Sequence, residues 1–116
     1  MAAMQEATFL VMTALAGRPL HGYGAMQEVA TLSGGRVQLK AGTLYGVLDR
    51  LADEGLVTVD GEEAVDGRLR RYYRLTDEGV AVLSQEVQRL RSNASVAAAR
   101  LRALPNARGL AFGGSQ

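Results

Sequence analysis

The stretch "GTLYGVLDRLADEGLV", residues 42–57, indicates one short helix whose two faces differ in composition. With about 100° of rotation per residue, one arc carries only large aliphatic side chains, namely Leu44, Val47, Leu48 and Leu51. The opposite arc carries glycines and charged groups, with Thr43 and Tyr45 on its flanks. We therefore expect the first arc to face a hydrophobic core and the second to face solvent or a polar partner.

The composition limits the class of protein. The chain has 116 residues, which suits one domain, and its formal net charge of +1 gives no reason by itself to expect nucleic-acid binding. It has no cysteine, which excludes disulfides and thiolate sites and fits a cytoplasmic location. His21 is the one histidine, which leaves neither a zinc ligand set nor a nucleophile–base pair. The sequence predicts a protein that is not an enzyme and has no metal or cofactor.

The apolar stretch "ATFLVMTALAG", residues 7–17, resembles part of a signal peptide. Residues 1–17 contain no lysine or arginine, whereas a secretory signal begins with positive charge. A membrane-spanning helix also needs about 20 apolar residues. We predict a buried first helix over residues 3–16 and no membrane segment.

Two further helices are predicted before any strand. The second begins near His21 or Gly22 and runs to Leu32. The third covers residues 41–54 and ends at Gly55, since glycine commonly follows the last turn of a helix.

Two alternating segments then predict a β-hairpin. They are "LVTVD", residues 56–60, and "LRRYYRL", residues 69–75, and the residues between them are predicted to form a long, mobile tip. Tyr73 shares its strand face with two leucines, so Tyr73 rather than Tyr72 is predicted to be buried.

The hairpin also separates charge. Residues 60–67 carry four acids and no base, whereas residues 68–74 carry four arginines and no acid. An acidic turn is therefore predicted directly beside a basic strand.

A long last helix follows the hairpin. Thr76 is a suitable N-cap, and Asp77 and Glu78 lie where the helix dipole favours negative charge. Pro105 ends the helix at about Leu104. Residues 106–116 are predicted to be a flexible tail.

Three helices followed by a hairpin are typical of the winged helix, a helix-turn-helix variant. The predicted fold is mainly α with a small β-hairpin: a winged-helix DNA-binding domain over residues 1–75, continuous with a C-terminal dimerisation helix over residues 76–105. Such domains usually read bases with the N-terminal end of the recognition helix. Asp49 and Asp53 would repel phosphates and are expected to stay outside the groove. The predicted DNA contacts are Tyr23, Lys40, Gly42, Thr43, Tyr45, Arg68 and Arg70.

Each of these contacts has a simpler alternative. The third helix could present an ordinary solvated face, Tyr23 could be a packed aromatic, and the arginines could be a solvated charge run. Lys40 favours DNA, because a cation before a helix opposes the dipole and a bound phosphate would remove that conflict.

Three segments resemble the signature blocks of PadR-like transcriptional regulators. They are "PLHGYGAMQEV", "AGTLYGVLDRLADEGLV" and "GRLRRYYRLTDEGVAVL", in the family's order and spacing over roughly residues 5–90. The short C-terminus resembles the smaller subfamily, which keeps one long terminal helix. The resemblance implies a cytoplasmic, dimeric, DNA-binding repressor, often released by a small molecule. Lys40 and Gly46 depart from the pattern, because relatives often have a capping serine and a proline there.

The last helix carries an apolar seam whose members are spaced alternately three and four residues apart, as in a heptad repeat. Its residues are Val80, Leu83, Val87, Leu90, Ala94, Ala97, Leu101 and Leu104. The winged-helix domain over residues 1–75, called the head below, is too small to cover a seam of this length. A homodimer interface is therefore predicted, with packing inside the monomer as the alternative.

The complete prediction is a dimeric transcriptional regulator that binds a double-stranded DNA operator, with repression as the favoured mode of regulation. Residues 74–111 contain no aromatic side chain, so a small hydrophobic effector at the dimer interface could not be stacked by this helix. The alternative function is a winged-helix protein–protein or dimerisation module that does not bind DNA.

Overall fold

The computed structural model describes residues 4–105, and the chain divides into two compact units, residues 1–84 and 85–116. The predicted tail, residues 106–116, lies outside the described residues. The elements, in chain order, are α1 (Glu6–Gly17), β1 (Leu20–His21), α2 (Gly22–Leu32), α3 (Ala41–Asp53), β2 (Val57–Val65), β3 (Arg68–Leu75) and α4 (Asp77–Arg102). The order of helices and hairpin is the predicted one.

Helices α1, α2 and α3 pack together around the core of the first unit. Val11 and Met12 of α1 are completely buried, which confirms the apolar stretch as a core helix. No helix within residues 4–105 is both long and apolar enough to cross a membrane. The core is therefore built by short helices, each of which buries one apolar stripe.

Helix α3 has the two faces that its sequence predicts. Its large aliphatic residues are all buried, while Thr43 and Tyr45 are exposed. Lys40 occupies the N-cap position and its side chain makes no capping hydrogen bond. On the same helix, Arg50 turns towards α1, where its Nη2 donates a 2.8 Å hydrogen bond to Oγ1 of Thr8.

The sheet has three antiparallel strands in the order β1-β3-β2. Strand β1 is only two residues long, and it pairs Leu20 with Tyr73 and His21 with Tyr72. A two-residue strand leaves no alternation to detect, so the sequence did not predict it. Tyr73 is 8% exposed, which confirms the choice of buried tyrosine.

The prediction of a long tip in the hairpin was wrong. Strand β2 continues to Val65, and the connection is the two residues Asp66 and Gly67. Both have positive φ, 51° and 75°, as a tight turn between twisted antiparallel strands requires. The acidic segment is strand rather than loop, because its carboxylates bond to groups on β3 across the ladder.

The start of α4 is fixed to the turn that follows α3. The Thr76 hydroxyl donates to the Gly55 carbonyl at 2.7 Å and accepts from the Gly79 N–H at 3.0 Å. Thr76 is therefore the N-cap that the sequence predicted, and it also ties this end of the helix to the head.

Candidate nucleic-acid interface

The first turn of α3 presents short side chains to solvent. Lys40, Gly42 and Thr43 are all exposed. A Cβ atom added at Gly42 or Gly46 would meet no other atom within 4 Å, so both backbone positions face open space. This part of the helix could approach another surface closely without moving any residue of its own chain.

Tyr45 is held against the start of α2. A Cβ atom on Gly22 would overlap the Tyr45 hydroxyl, so the absence of a side chain at Gly22 is what lets the tyrosine lie there. Tyr45 is nevertheless 45% exposed, and Tyr23, one residue beyond Gly22, is 61% exposed. The two aromatic rings are thus displayed at the same end of the helix pair.

A cleft of about 810 Å³ separates these helices from the hairpin. Its lining residues come from β1, α2, α3 and both strands of the hairpin, and they are His21, Gly22, Tyr23, Tyr45, Asp49, Val65, Asp66, Arg68, Leu69, Arg70, Arg71 and Tyr73. Four predicted contact residues, Tyr23, Tyr45, Arg68 and Arg70, meet around this cleft. Lys40, Gly42 and Thr43 do not line it, and they lie at the exposed beginning of α3.

Asp49 also lines the cleft, one turn after Tyr45. The sequence predicted that Asp49 would repel phosphates and stay outside the DNA groove. In the structure its carboxylate lies on the α3 side of the cleft, whereas the arginines lie on β3, so it would disfavour phosphate on the helix side.

The four arginines of β3 fall into two pairs. Arg71 and Arg74 form ion pairs across the ladder, to Glu62 at 3.3 Å and to Asp60 at 3.0 Å. Within residues 4–105, Arg68 and Arg70 have no acidic group within the 4.0 Å of an ion pair. The two arginines nearest the turn therefore keep their charge available to an external anion.

His21 connects the hairpin to α2. Its Nδ1 accepts a 3.2 Å hydrogen bond from the Gly24 N–H, which caps the helix. Its ring meets the Tyr72 ring edge-on, with centroids 5.3 Å apart and planes at 87°. The sequence placed His21 at the helix start, which is confirmed, but it gave no signal for the contact with Tyr72.

Electrostatics around His21 favour its neutral form. Burial lowers the pKa of His21, the nearby Arg70 lowers it further, and Glu63 opposes them. The Tyr72 hydroxyl donates to Glu63 at 2.8 Å, and this bond raises the pKa of Tyr72.

Among residues 4–105, no group of three histidine, cysteine, aspartate or glutamate side chains is arranged to hold a metal ion. The cleft is lined by tyrosine and arginine side chains together with the two carboxylates of Asp49 and Asp66. The tyrosine and arginine side chains suit binding of a polyanion.

The predicted seam lies on α4 up to Leu101, whereas Leu104 follows the helix, which ends at Arg102 rather than at about Leu104. Leu83 is partly buried against the core of the first unit, whereas Val80, Leu90 and Leu104 are 55%, 40% and 44% exposed. Close by on α4, Arg89 Nε donates to Glu86 at 2.9 Å. An apolar stripe therefore stays open to solvent along the helix.

Comparison with known proteins identifies the fold. The Eggerthella lenta PadR family transcriptional regulator superposes with a TM-score of 0.70 at 26% identity, covering 84% of this chain and 83% of that one. Bacillus subtilis PadR in complex with operator DNA superposes with a TM-score of 0.64 at 23% identity, covering 72% of this chain and 47% of that one. The winged-helix arrangement with a long terminal helix is confirmed.

Sequence comparison gives the family. Transcriptional regulator Rv3488 of Mycobacterium tuberculosis is 41% identical over 71 residues, which are 61% of this chain and 63% of that protein. Residues 11–85 match the family model described as the transcriptional regulator PadR-like family. The members of this family are transcriptional regulators and not enzymes, as the sequence predicts for this chain. The match covers more than half of the chain, and the chain therefore belongs to the PadR-like family of transcriptional regulators.

Proposed function

We propose that this protein is a homodimeric repressor that binds an operator in double-stranded DNA and acts in the cytoplasm. The observation that carries the proposal is the convergence of Tyr23, Tyr45, Arg68 and Arg70 around one cleft beside the exposed start of α3. The B. subtilis relative solved with operator DNA supports the same partner.

The contacts divide by their chemistry. Lys40, Thr43 and Tyr45 lie at the end of α3 that would enter a major groove, where side chains read base edges. Arg68 and Arg70 lie beside the hairpin turn and form no ion pair with an acid of residues 4–105, although Glu63 lies opposite Arg70 in the ladder. The arginines would therefore supply affinity for the DNA backbone that does not depend on base sequence, while α3 would discriminate between DNA sequences.

The dimer would form along the α4 seam. Its exposed apolar side chains follow a heptad spacing, and a second copy of the same helix offers a matching stripe. A symmetric dimer would place two winged helices on two half-sites, so the operator would have two-fold symmetry. Ala94 and Ala97 make the middle of the seam thin. A small hydrophobic effector that releases the repressor would fit between subunits there, held without aromatic stacking.

The test begins with genomic fragments recovered by the purified protein and sequenced. We expect enrichment of a two-fold symmetric site, and an affinity for it that falls steeply between 50 and 200 mM salt. A scrambled duplex of equal length serves as the control. Recovery of random fragments without salt dependence would contradict DNA binding and favour a winged-helix module that contacts protein partners.

A further inference from the structure

His21 lies at the junction of the two parts of the candidate interface. It is the last residue of β1, which pairs with Tyr72 of the hairpin, and the residue that caps α2. Tyr23 follows two residues later on the same helix. One side chain thus contacts both the hairpin and the helix start.

A chain of contacts leads from His21 to Arg70. The imidazole packs edge-on against the Tyr72 ring, whose hydroxyl is bonded to Glu63, and Glu63 is paired in register with Arg70. The guanidinium of Arg70 acts on both the Tyr72 hydroxyl and the His21 ring. Since Arg70 forms no ion pair within residues 4–105, its orientation depends on these neighbours.

We propose that His21 is a positioning residue for DNA binding: its neutral ring caps α2 and braces Tyr72, and so holds Arg70 where it can meet a phosphate. This inference rests on the proposed function. His21 need not touch DNA, because its effect passes through Tyr72 and Arg70.

The bracing geometry requires an unprotonated Nδ1. A proton on that atom would remove the acceptor of the Gly24 N–H and place a cation at the positive end of the α2 dipole. The charged and titratable groups that face or line the same space are Tyr72, Tyr73, Arg68, Arg70 and Arg71 on β3, Glu63 on β2, Asp66 in the turn, Tyr45 and Asp49 on α3, and Tyr23 on α2. Arg70, whose positive charge lowers the pKa of His21, opposes a second positive charge there.

The experiment is a double-mutant cycle of His21→Asn and Arg70→Ala, read as binding to a fluorescent random-sequence duplex over a salt series. Asparagine can still accept the capping hydrogen bond but cannot brace Tyr72. The salt slope is the slope of log affinity against log salt concentration. Arg70→Ala should reduce its magnitude by about one per protomer. For each protomer, the loss of affinity between 50 and 200 mM salt should then be smaller by roughly three- to fourfold. We expect His21→Asn to flatten it similarly, and the double variant to match Arg70→Ala alone.

Two controls separate positioning from folding. Gln27→Ala changes an exposed residue of α2 and should leave the slope unchanged. The thermal midpoint of His21→Asn should stay close to that of the wild type, because the cap is retained. A wild-type slope in His21→Asn, or additive losses in the double variant, would overturn the proposal.

A pH series gives a second readout, because His21 is the chain's one histidine. Between about pH 7.5 and 5.5 the wild type should lose affinity and its salt slope should flatten, while His21→Asn should not change. An affinity that rises as the pH falls would show that His21 acts as an added cation, which overturns the proposal. If the wild type itself shows no salt-dependent binding at pH 7.5, the proposed function is wrong. The wild type alone tests DNA binding, whereas the variants test the role of His21.

Discussion

Helices α3 and α4 are both amphipathic and both regularly spaced, but only α3 buries its apolar residues. Leu44 and Leu48 of α3 are 0% exposed, whereas Leu90 of α4 is 40% exposed. The spacing in α4 is the longer and stricter of the two. Regular spacing therefore predicts a contact surface, but it does not tell whether the partner lies in the same chain. Leu48 should then matter for folding of the head, and Leu90 for association.

The most severe test of this difference is Leu90→Asp. In a dimer it would bury two unpaired carboxylates, each at a cost of several kcal/mol. Sedimentation at micromolar concentration should show monomer in place of dimer. Ser92→Asp, an exposed position off the seam, should leave the dimer intact. A stable Leu90→Asp dimer would mean that the seam is not the interface.

Leu48→Ala tests the other side of the comparison. Removing a fully buried leucine should lower the free energy of unfolding by about 2–5 kcal/mol through lost burial and a residual cavity. Chemical denaturation at two protein concentrations should show a similar loss at both, because this contact lies within the head. A loss that depended strongly on concentration would place Leu48 in the association surface instead.

The exposed face of α3 should govern recognition rather than folding. Thr43→Ala and Tyr45→Ala should reduce the preference for operator over scrambled duplex by about 1–3 kcal/mol where a base contact is lost. Asp53→Ala should leave that preference unchanged, and removal of its repulsion should raise affinity. Competition binding at one fixed salt concentration measures all three. Loss of discrimination in Asp53→Ala alone would contradict entry by the N-terminal end.

The cap on α2 should make head stability depend on pH. The pKa of His21 is lowered in the folded state, so the unfolded chain binds the proton more tightly. The stabilisation is therefore complete above the unfolded pKa of about 6.5 and is lost as the pH falls through the folded pKa. Thermal midpoints should decrease from pH 7.5 towards 5.5 in the wild type, and clearly less in His21→Asn. Equal decreases in both would rule out His21 as the cause.

The smallest expected effect is a gain in stability. Gly46→Ala adds a methyl group in open space on a helix, so it should stabilise the head by about 0.5–1 kcal/mol. If DNA approaches this face closely, the same variant should lose operator affinity. Denaturation and duplex binding of one preparation measure both changes, and a gain in both would show that DNA does not approach Gly46.

The sequence predicted the elements whose signals are local and repeated. The three head helices, the buried arc of α3 and the Thr76 cap follow from spacing and from single capping residues. The burial of Tyr73 followed from strand alternation. These features could be predicted because their signals lie in the local order of residues, even where the burial itself comes from packing against distant elements.

The features that it missed depend on pairing between distant residues. The acidic segment is a strand because Asp60 and Glu62 meet arginines across the ladder, and its composition alone suggested a loop. The division of the arginines into paired and unpaired sets also depends on register. The contact between His21 and Tyr72 requires β1, which is too short to leave a pattern in the sequence.

The turn at Asp66 and Gly67 limits how this hairpin can change during evolution. With only two connecting residues, the strands stay in one fixed alignment, and neighbouring side chains point to opposite sides of the sheet. One inserted residue in β3 would move Arg70 to the face of the strand that Leu69 now occupies. Lengthening both strands by two residues each would preserve every orientation. Relatives with longer hairpins should therefore differ from this chain by matched, even-numbered insertions, and an odd insertion should be accompanied by a β-bulge that restores the orientation.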